Sequence, residues 1–312
     1  MPEVRSIQDK AREEEGVKPG IYSIPMAWYL AFEALSASLC HELLTCSPAH
    51  AKHRQAHPSE PSTESDIGTA IHDVLLEGRD RIVPIDAPDW RTKAAKEARE
   101  LARAQGGIPM LAHKVAQIEA AVKQIKAFVA ETELARIFEK AEVEQTLIWE
   151  EPCIYRDAAG IICKARPDLF TARWHVSVKT TAGSAEPSSW IRNHLVPSGY
   201  DVSAAFYERG FRMLKTQYEP SYAPSTVFLV AEQAPPHGCS LIALSPDMYE
   251  IAHKKVERAI RIWQECQHSG KWPAYPAQIC YAEPTPWQLA EQEERDLNRT
   301  YDALQMKEGL QA

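Results

Sequence analysis

The sequence predicts a mixed α/β (α+β) fold in which a central mixed sheet is flanked by helices, with a helical portion at the N-terminal end. Apolar residues recur at helical intervals through most of the first 140 residues. Strand-like runs follow from Val143 to Thr180, and a second pair of such runs lies between two further helical stretches. Strands placed between helices in this order are typical of a sheet with helices packed on its faces.

The N-terminal portion contains several helical stretches. Pro25 to His53 is apolar at helical spacing, and Pro48 is expected to break that helix. The polar stretch from His53 to Glu64 and the Pro/Asp-rich connection from Val83 to Trp90 are expected to be irregular. Helical periodicity resumes in three segments, which are Ser65 to Glu77, Thr92 to Ala104 and Pro109 to Ala130.

The second portion alternates strands and helices. The predicted strands are Val143 to Tyr155, Ile161 to Phe170, Trp174 to Thr180, Val227 to Ala231 and Ser240 to Leu244. The predicted helices are Pro187 to Val196, Tyr200 to Tyr218, Pro246 to His268 and Trp287 to Met306. We therefore expect a flexible segment over residues 1–20 and a single domain over 21–290, with a helical part to 140 and a sheet-containing core from 141. Residues 291–312 are expected to form a C-terminal helix.

Composition excludes several classes of protein. No apolar run is long enough to span a membrane, and the charged start of the sequence lacks a signal-peptide core, so a cytoplasmic protein without membrane contact is expected. The seven cysteines are widely spaced and contain no C-x-x-C pair, so no iron–sulfur cluster is expected. A net charge of −8 argues against a protein that coats nucleic acid, although a basic groove remains compatible with it.

One segment carries an arrangement that packing alone does not explain. Asp168 follows Pro167 near the end of one predicted strand, and Lys179 lies near the end of the next. Because Lys179 follows Val176 and Val178 in a strand that should be largely buried, its ammonium needs a partner, a function or access to water. A lysine with its amine in water at a strand end is the alternative interpretation.

The Pro-Asp pair followed by Lys179-Thr180-Thr181 resembles the signature of the PD-(D/E)XK nuclease superfamily, and the chain is most similar to its RecE-type (exonuclease VIII-like) phage exodeoxyribonucleases. The resemblance implies a restriction-endonuclease-like core and a bound Mg²⁺, with Mn²⁺ as an alternative. Such a cation is held by oxygen ligands, activates water and stabilises charge on the attacked phosphate. Asp168 and Lys179 are the catalytic residues that this resemblance implies.

Further motifs extend the resemblance over roughly residues 24 to 288. Ser65 to His72 resembles the G-x-x-x-H helix of these nucleases, in which Gly68 and His72 share a helix face. The resemblance makes His72 a catalytic metal ligand beside Asp168 and the Val178 carbonyl. Glu144 is a further candidate ligand, for which Glu142, Glu150 and Glu151 compete. Tyr207 matches the tyrosine of the family's Q-x-x-x-Y helix, and the resemblance makes it a further candidate catalytic residue. The Trp/Pro-rich segment after Gly270 is similar to the RecE-type C-terminal end.

Two positions depart from the family pattern. Ser177 occupies the place of the second acidic ligand, and Ser203 occupies the place of the glutamine. A hydroxyl is a weak neutral ligand compared with a carboxylate. The sequence therefore leaves two hypotheses open: a metal-dependent exonuclease, or a catalytically impaired nuclease-fold protein that binds DNA or a recombination partner.

The expected substrate is the end of linear double-stranded DNA, cleaved during phage-type homologous recombination. A single-strand annealing protein and further copies of the chain are the partners that the resemblance implies. The candidate substrate-binding residues are Lys164, Arg166, Thr180, Thr181 and Ser203. Other basic residues that could line a DNA groove are Arg192, His194, Arg209, Arg212 and Lys215, for which a solvated helix face is the alternative.

Overall fold

A computed structural model of the chain describes residues 17–57, 63–78, 81–156, 158–214 and 223–309. Most of the predicted flexible segment 1–20, part of the predicted loop before Glu64, and Lys215 lie outside these ranges. Among the described residues, no helix has both the length and the apolar character needed to cross a membrane.

The first 140 residues contain short strands as well as helices. In chain order the elements are β1 (Gly20–Tyr22), α1 (Met26–Ala31), α2 (Ala37–Thr45), α3 (Pro48–Ala56), α4 (Thr63–His72), β2 (Ile82–Ile85), α5 (Lys93–Ala104), β3 (Ile108–Leu111), α6 (Ala112–Ala130) and α7 (Ile137–Lys140). Helix α4 continues into a π-helical turn, Asp73–Glu77.

The rest of the chain supplies most of the sheet. Its elements are β4 (Glu142–Val143), β5 (Thr146–Glu151), β6 (Ile161–Ala165), β7 (Leu169–Phe170), β8 (Trp174–Thr181), α8 (Pro187–Trp190), α9 (Tyr200–Met213), β9 (Ser225–Glu232), β10 (Cys239–Ala243), α10 (Pro246–Ser269) and α11 (Pro286–Gly309). A π-helical turn, Ile191–Leu195, follows α8. The chain divides into two compact units, Met1–Ala274 and Tyr275–Ala312, and the second unit is built around α11.

The central sheet has five strands in the order β10-β9-β8-β7-β4. Strands β8 and β9 run parallel, and the other neighbours are antiparallel, so the sheet is mixed as the sequence predicts. A second sheet has the order β1-β5-β6, and β2 pairs with β3 in a small parallel sheet.

The two larger sheets share one bent hairpin. Strand β4 leads into β5, and β6 leads into β7, while β5 pairs with β6 and β4 pairs with β7. The register is the same on both sides of the bend, because Val143 lies opposite Leu169 and Leu147 lies opposite Ala165. Between these pairs the Glu144 N–H donates to the Asp168 carbonyl at 3.0 Å. Glu144 and Asp168 are therefore cross-strand neighbours at the bend.

Side chains of β8 and β9 alternate between two apolar layers, as the pleat of a strand requires. On one face Val176, Val178 and Leu229 pack with helices α4 and α6. On the other face Phe228 and Val230 pack with the region of α8 and α9. A third cluster joins α2, α9 and α10 to β5 and β6 around Trp149 and Phe206, which bury almost all of their surface.

Several predicted elements need correction. The helical run predicted from Pro25 to His53 is broken before Pro48, as expected, but it is also broken between α1 and α2. Pro48 itself begins α3, since the first turn needs no donor from that nitrogen and Ser47 caps it by accepting from the His50 N–H. The segments predicted as an irregular connection and as a helix start contain β2 and β3, which pair with each other. The predicted strand Val143 to Tyr155 is interrupted at Glu144, where the hairpin bends.

Candidate active site

The candidate site begins with the main-chain groups of Val178 in β8. If the register of β7 and β8 continued by two pairs, Pro167 would lie opposite Val178. Proline has no N–H to donate, so the Val178 carbonyl has no partner in that ladder. Instead the Val178 N–H donates to Asp168 Oδ2 at 2.7 Å, and His72 Nε2 lies 3.0 Å from the Val178 carbonyl. The Pro-Asp pair thus ends strand pairing and brings a carboxylate and an imidazole to one point.

Helix α4 carries His72 to this point because it packs closely on β8. A side chain at Gly68 would place its Cβ 3.1 Å from Thr180 Oγ1, so glycine lets the helix approach the strand. Gly68 and His72 are one helical turn apart and lie on the same face. The close approach at Gly68 therefore sets the position of the imidazole above the end of β8.

Glu144 approaches from the opposite arm of the hairpin. Its backbone has a φ of 51°, a left-handed conformation that costs free energy for a residue with a side chain. Its carboxylate Oε2 accepts from Arg166 Nε at 2.8 Å. Arg166 also donates to the Ile24 carbonyl at 2.9 Å and to Thr146 Oγ1 at 3.1 Å. The bend and this arginine together aim the Glu144 carboxylate at Asp168.

The structure brings His72, Glu144 and Asp168 together, with one ligand atom from each lying within 4.8 Å of the others. The Val178 carbonyl adds an oxygen 3.0 Å from His72 Nε2. Two ligands at right angles around a cation lie about 3.0 Å apart when each bond is about 2.1 Å. One imidazole, two carboxylates and a carbonyl are donors that suit Mg²⁺ or Mn²⁺. The donor set therefore fits the divalent cation expected from the sequence.

Lys179 faces the same point from the end of β8. Its Nζ lies 3.9 Å from Asp168 Oδ2 and 5.2 Å from the centre of the Tyr200 ring. Burial raises the pKa of the Asp168 carboxyl, but Lys179, His72 and the Val178 N–H outweigh that effect and hold this pKa below its ordinary value. Asp168 is therefore ionised at neutral pH and able to hold a cation.

The serine at position 177 contacts this centre directly. Its hydroxyl donates to Asp168 Oδ2 at 3.1 Å, and the residue is almost fully buried. His175 lies two residues earlier on the same face of β8, where its Nδ1 is 3.0 Å from Thr226 Oγ1. Burial lowers the pKa of His175 to about 4, so this imidazole is neutral at pH 7. Ser177 and His175 thus contribute no charge to the site.

Tyr207 and Ser203 lie on α9 behind the bend of the hairpin. The Tyr207 hydroxyl donates to the Arg166 carbonyl at 3.5 Å, and its ring lies 5.1 Å from that of His175. Burial raises the pKa of Tyr207, and the hydrogen bonds with Arg166 and Ser203 oppose that rise. Tyr207 therefore remains a neutral hydroxyl that contacts the backbone beside Pro167.

Three basic residues predicted to contact DNA are instead engaged inside the protein. The Lys164 ammonium donates to the carbonyls of Tyr29 and Phe32, and only 7% of the residue is exposed. Arg166 is held by Glu144, as described above. Arg209 donates through Nε and one terminal nitrogen to the buried carboxylate of Glu151, at 2.6 and 2.8 Å. The donors named here therefore already have internal partners, and phosphate binding by these three side chains stays a prediction.

The two threonines after Lys179 also have internal partners. Thr180 Oγ1 accepts from Gln233 Nε2 at 3.2 Å, and Thr181 Oγ1 accepts from the Gly183 N–H at 3.1 Å. Thr181 is buried. The Thr180 hydrogen bond thus joins the end of β8 to the segment after β9, and the Thr181 hydrogen bond orders the turn after β8. Arg192 and Arg212 are both exposed, and Arg212 pairs with Glu208.

Sequence reasoning missed the partners that orient the site. The sequence predicts that Arg166 contacts substrate, and it gives no role to the carbonyl of Ile24, the hydroxyl of Thr146 or the amide of Gln233. No local signal identifies them, since Ile24 and Gln233 are far in sequence from the residues they contact. A basic residue immediately before the Pro-Asp pair was visible, but its direction depends on the bend at Glu144.

Comparison with known proteins gives one family and a similar fold. The family described as "PDDEXK-like domain of unknown function (DUF3799)" matches residues 36–284. No curated protein sequence matches the chain. A crystal structure from Eubacterium rectale named "Putative exonuclease" is similar in fold, with a TM-score of 0.50 and 12% sequence identity. The match covers 81% of this chain and 91% of that one, and at this identity it supports the fold alone.

Proposed function

The chain belongs to the family of PDDEXK-like domains of unknown function (DUF3799), and from that membership we propose that it is a metal-dependent nuclease. The observation that carries the proposal is the convergence of His72, Glu144 and Asp168, whose ligand atoms lie within 4.8 Å of one another. Lys179 lies beside them, 3.9 Å from Asp168. The Lys179 ammonium, which can orient a nucleophilic water, thus lies at the same strand end as the candidate ligands for a divalent metal.

The proposed reaction is hydrolysis of a phosphodiester bond. A divalent cation held by His72, Glu144, Asp168 and the Val178 carbonyl would supply an activated water and stabilise charge on the phosphate oxygens. Asp168 is ionised and accepts from the Val178 N–H, so its orientation is fixed before substrate arrives. Lys179 places a positive charge next to Asp168, where it can orient the attacking water and stabilise the phosphate.

We further propose that the substrate is the end of linear double-stranded DNA and that the process is phage-type homologous recombination. The motifs of α4, the Pro-Asp hairpin, β8 and α9 support this finer assignment through their resemblance to RecE-type exonucleases. Ser177 in place of the second acid favours the other hypothesis, a protein that binds DNA without efficient cleavage.

The release of nucleotides from DNA distinguishes the two hypotheses. Linear duplex DNA and a closed circle of the same sequence are incubated with the protein and Mg²⁺ or Mn²⁺. An exonuclease releases nucleotides from the linear form only. Replacement of either Asp168 or Lys179 by alanine is expected to reduce the rate by at least about 100-fold.

Lys254→Ala is the matched control, since Lys254 is an exposed lysine paired with Glu250 on α10. This variant should retain the full rate. If the linear duplex is stable under all these conditions while the protein still binds it, the non-cleaving hypothesis holds. Cleavage that Asp168→Ala leaves intact would contradict the assigned site.

A further inference from the structure

We propose that the site binds its divalent cation and a DNA phosphate together, because without DNA the positive and negative charges of its side chains balance one another. This inference rests on the proposed function and adds a mechanism of cation recruitment to it. It follows from four charged residues: Asp168 and Glu144 carry negative charges, and Lys179 and Arg166 carry positive charges. Each carboxylate is paired with one of the two basic groups.

Arg166 is a permanent part of this balance. Its guanidinium has three partners, Glu144, Thr146 and the Ile24 carbonyl, all within 3.1 Å. Only 11% of its side chain is exposed, and an arginine does not lose its proton in a protein. The guanidinium therefore cannot leave or become neutral when a cation approaches. It is a positioning residue that holds Glu144 and also cancels its charge.

Lys179 balances Asp168 in the same way. Its ammonium lies 3.9 Å from Asp168 Oδ2, and 24% of its side chain is exposed. The other groups that contact Asp168 add no negative charge, since Ser177 offers a hydroxyl and Val178 an N–H. His175, on the same strand face, is neutral. An aspartate at 177 would leave the group one negative charge in excess, and the serine removes that excess.

A cation that enters such a site meets good ligands but no net attraction. Taking a divalent ion out of water is costly unless negative charge compensates it. A phosphodiester of DNA brings one negative charge and further oxygen ligands, which are the ligands that Mg²⁺ commonly takes from substrate phosphates. The phosphate also meets Lys179. Cation and phosphate should therefore each increase the affinity of the site for the other.

The test measures cation binding and not cleavage. Mn²⁺ is titrated into the protein and followed by the loss of the electron paramagnetic resonance signal of the free aqueous ion. The titration is repeated with a short duplex whose terminal linkages are phosphorothioates, so that it resists hydrolysis. Mn²⁺ bound by the duplex itself is subtracted with the Asp168→Ala variant. We expect the duplex to tighten Mn²⁺ binding by about ten-fold or more.

Two variants at position 177 test the role of charge. Ser177→Asp restores a carboxylate and should tighten Mn²⁺ binding in the absence of DNA, which reduces the gain from the duplex. Ser177→Asn has nearly the same shape as aspartate without its charge, so it should bind Mn²⁺ more weakly than Ser177→Asp in the absence of DNA. A Ser177→Asn variant that binds Mn²⁺ as tightly as Ser177→Asp would overturn the electrostatic explanation.

Thermodynamic linkage supplies a check that needs no variant. If the duplex tightens Mn²⁺ binding by some factor, Mn²⁺ must tighten duplex binding by the same factor. Fluorescence anisotropy of a labelled duplex measures the second quantity. Equal Mn²⁺ affinity with and without DNA overturns the inference even if the protein cleaves DNA. Coupled binding without any cleavage supports the inference while contradicting the proposed nuclease activity.

Discussion

Lys164 shows how a buried charge is used as a structural anchor. Its ammonium donates to the carbonyls of Tyr29 and Phe32 at 2.6 and 2.5 Å and lies 4.7 Å from the centre of the Tyr29 ring. Burial lowers the pKa of Lys164 to about 8, so the group remains mainly charged at neutral pH. These contacts attach the end of α1 to β6. The residue therefore stabilises the N-terminal segment next to the candidate site.

Replacement of Lys164 by methionine should reduce stability without changing DNA binding. The variant removes the donor and leaves two carbonyls without it, which costs about 1–3 kcal/mol in the free energy of unfolding. Urea unfolding followed by circular dichroism measures this loss. Affinity for duplex DNA and its dependence on salt should be those of the wild type, because the residue is almost fully buried and its ammonium donates to two carbonyls.

The exposed Lys254 provides the control for this prediction. Lys254→Met removes the same charge from a surface pair with Glu250 and should change the free energy of unfolding by less than about 0.5 kcal/mol. A Lys164→Met variant that keeps its stability but shows a smaller salt dependence of DNA binding would contradict this structural role and indicate that Lys164 contacts a DNA phosphate.

At the scale of elements, the packing of α4 on β8 determines whether His72 meets Asp168. Gly68 allows this contact, and Thr180 Oγ1 is the atom that an added side chain would meet. Thr180 is itself held by Gln233 from the segment after β9. Helix α4, strand β8 and the segment after β9 therefore meet at Gly68, where the missing side chain allows their close contact.

A bulky residue at position 68 should disrupt the site more than the fold. Gly68→Leu must push α4 away from β8, which separates His72 from the Val178 carbonyl and should weaken Mn²⁺ binding by about ten-fold or more. Gly68→Ala requires a shift of a few tenths of an ångström at Thr180 and should have a much smaller effect. The two variants are compared by the Mn²⁺ resonance titration.

The Mn²⁺ affinities of the two Gly68 variants show whether the spacing of α4 and β8 controls the site. If Gly68→Leu binds Mn²⁺ as the wild type does, the spacing of α4 and β8 does not control the site. Circular dichroism and urea unfolding of both variants show whether a loss of binding reflects global unfolding instead.

The sequence predicted the long elements well and the short strands poorly. Strand β8, helix α6 and helix α10 have clear periodicity, and their predicted and observed positions agree within a few residues. Strands β2 and β3 were missed because each contains a proline, Pro84 and Pro109, which argues against a strand. Within the part of the chain that the structure describes, each pairs with one strand, so a proline can face the open edge of the small sheet.

The sequence predicted only those parts of the candidate site that lie in local motifs. His72, Asp168 and Lys179 lie in local motifs, and their residue types and spacing are visible in the sequence. The direction of Arg166 is not, because its partners include a carbonyl 142 residues earlier in the chain. The metal-binding and catalytic roles of these residues stay predictions that the experiments above test.

At the scale of the whole molecule, buried ionisable groups make stability depend on pH. Burial lowers the pKa of His175 to about 4, from an ordinary value of 6.5. In the unfolded chain this imidazole gains a proton as the pH falls below 6.5, but in the folded protein it does so only near pH 4. The unfolded state is therefore favoured progressively between these two values.

We expect the free energy of unfolding to fall between pH 6.5 and pH 4, with His175 contributing a slope of at most about 1.4 kcal/mol per pH unit. Asp168, whose pKa is held below its ordinary value, adds a further loss below about pH 4, because its stabilising charge is neutralised there. Urea unfolding at several pH values measures both ranges. His175→Asn should show a smaller slope above pH 4, and an unchanged slope would assign the effect to other histidines.

The contacts of Ile24 and Tyr29 with the bent hairpin have a consequence for the order in which the protein is made. Ile24 meets Arg166 across 142 residues, and Tyr29 meets Lys164 across 135 residues. At 5–20 residues per second, a ribosome adds Arg166 roughly 7–30 s after Ile24. The early segment must therefore wait for its partners during synthesis. The local helices can form while the chain grows, but the Glu144 carboxylate can reach its final orientation only after Arg166 and the Pro-Asp pair have been synthesised.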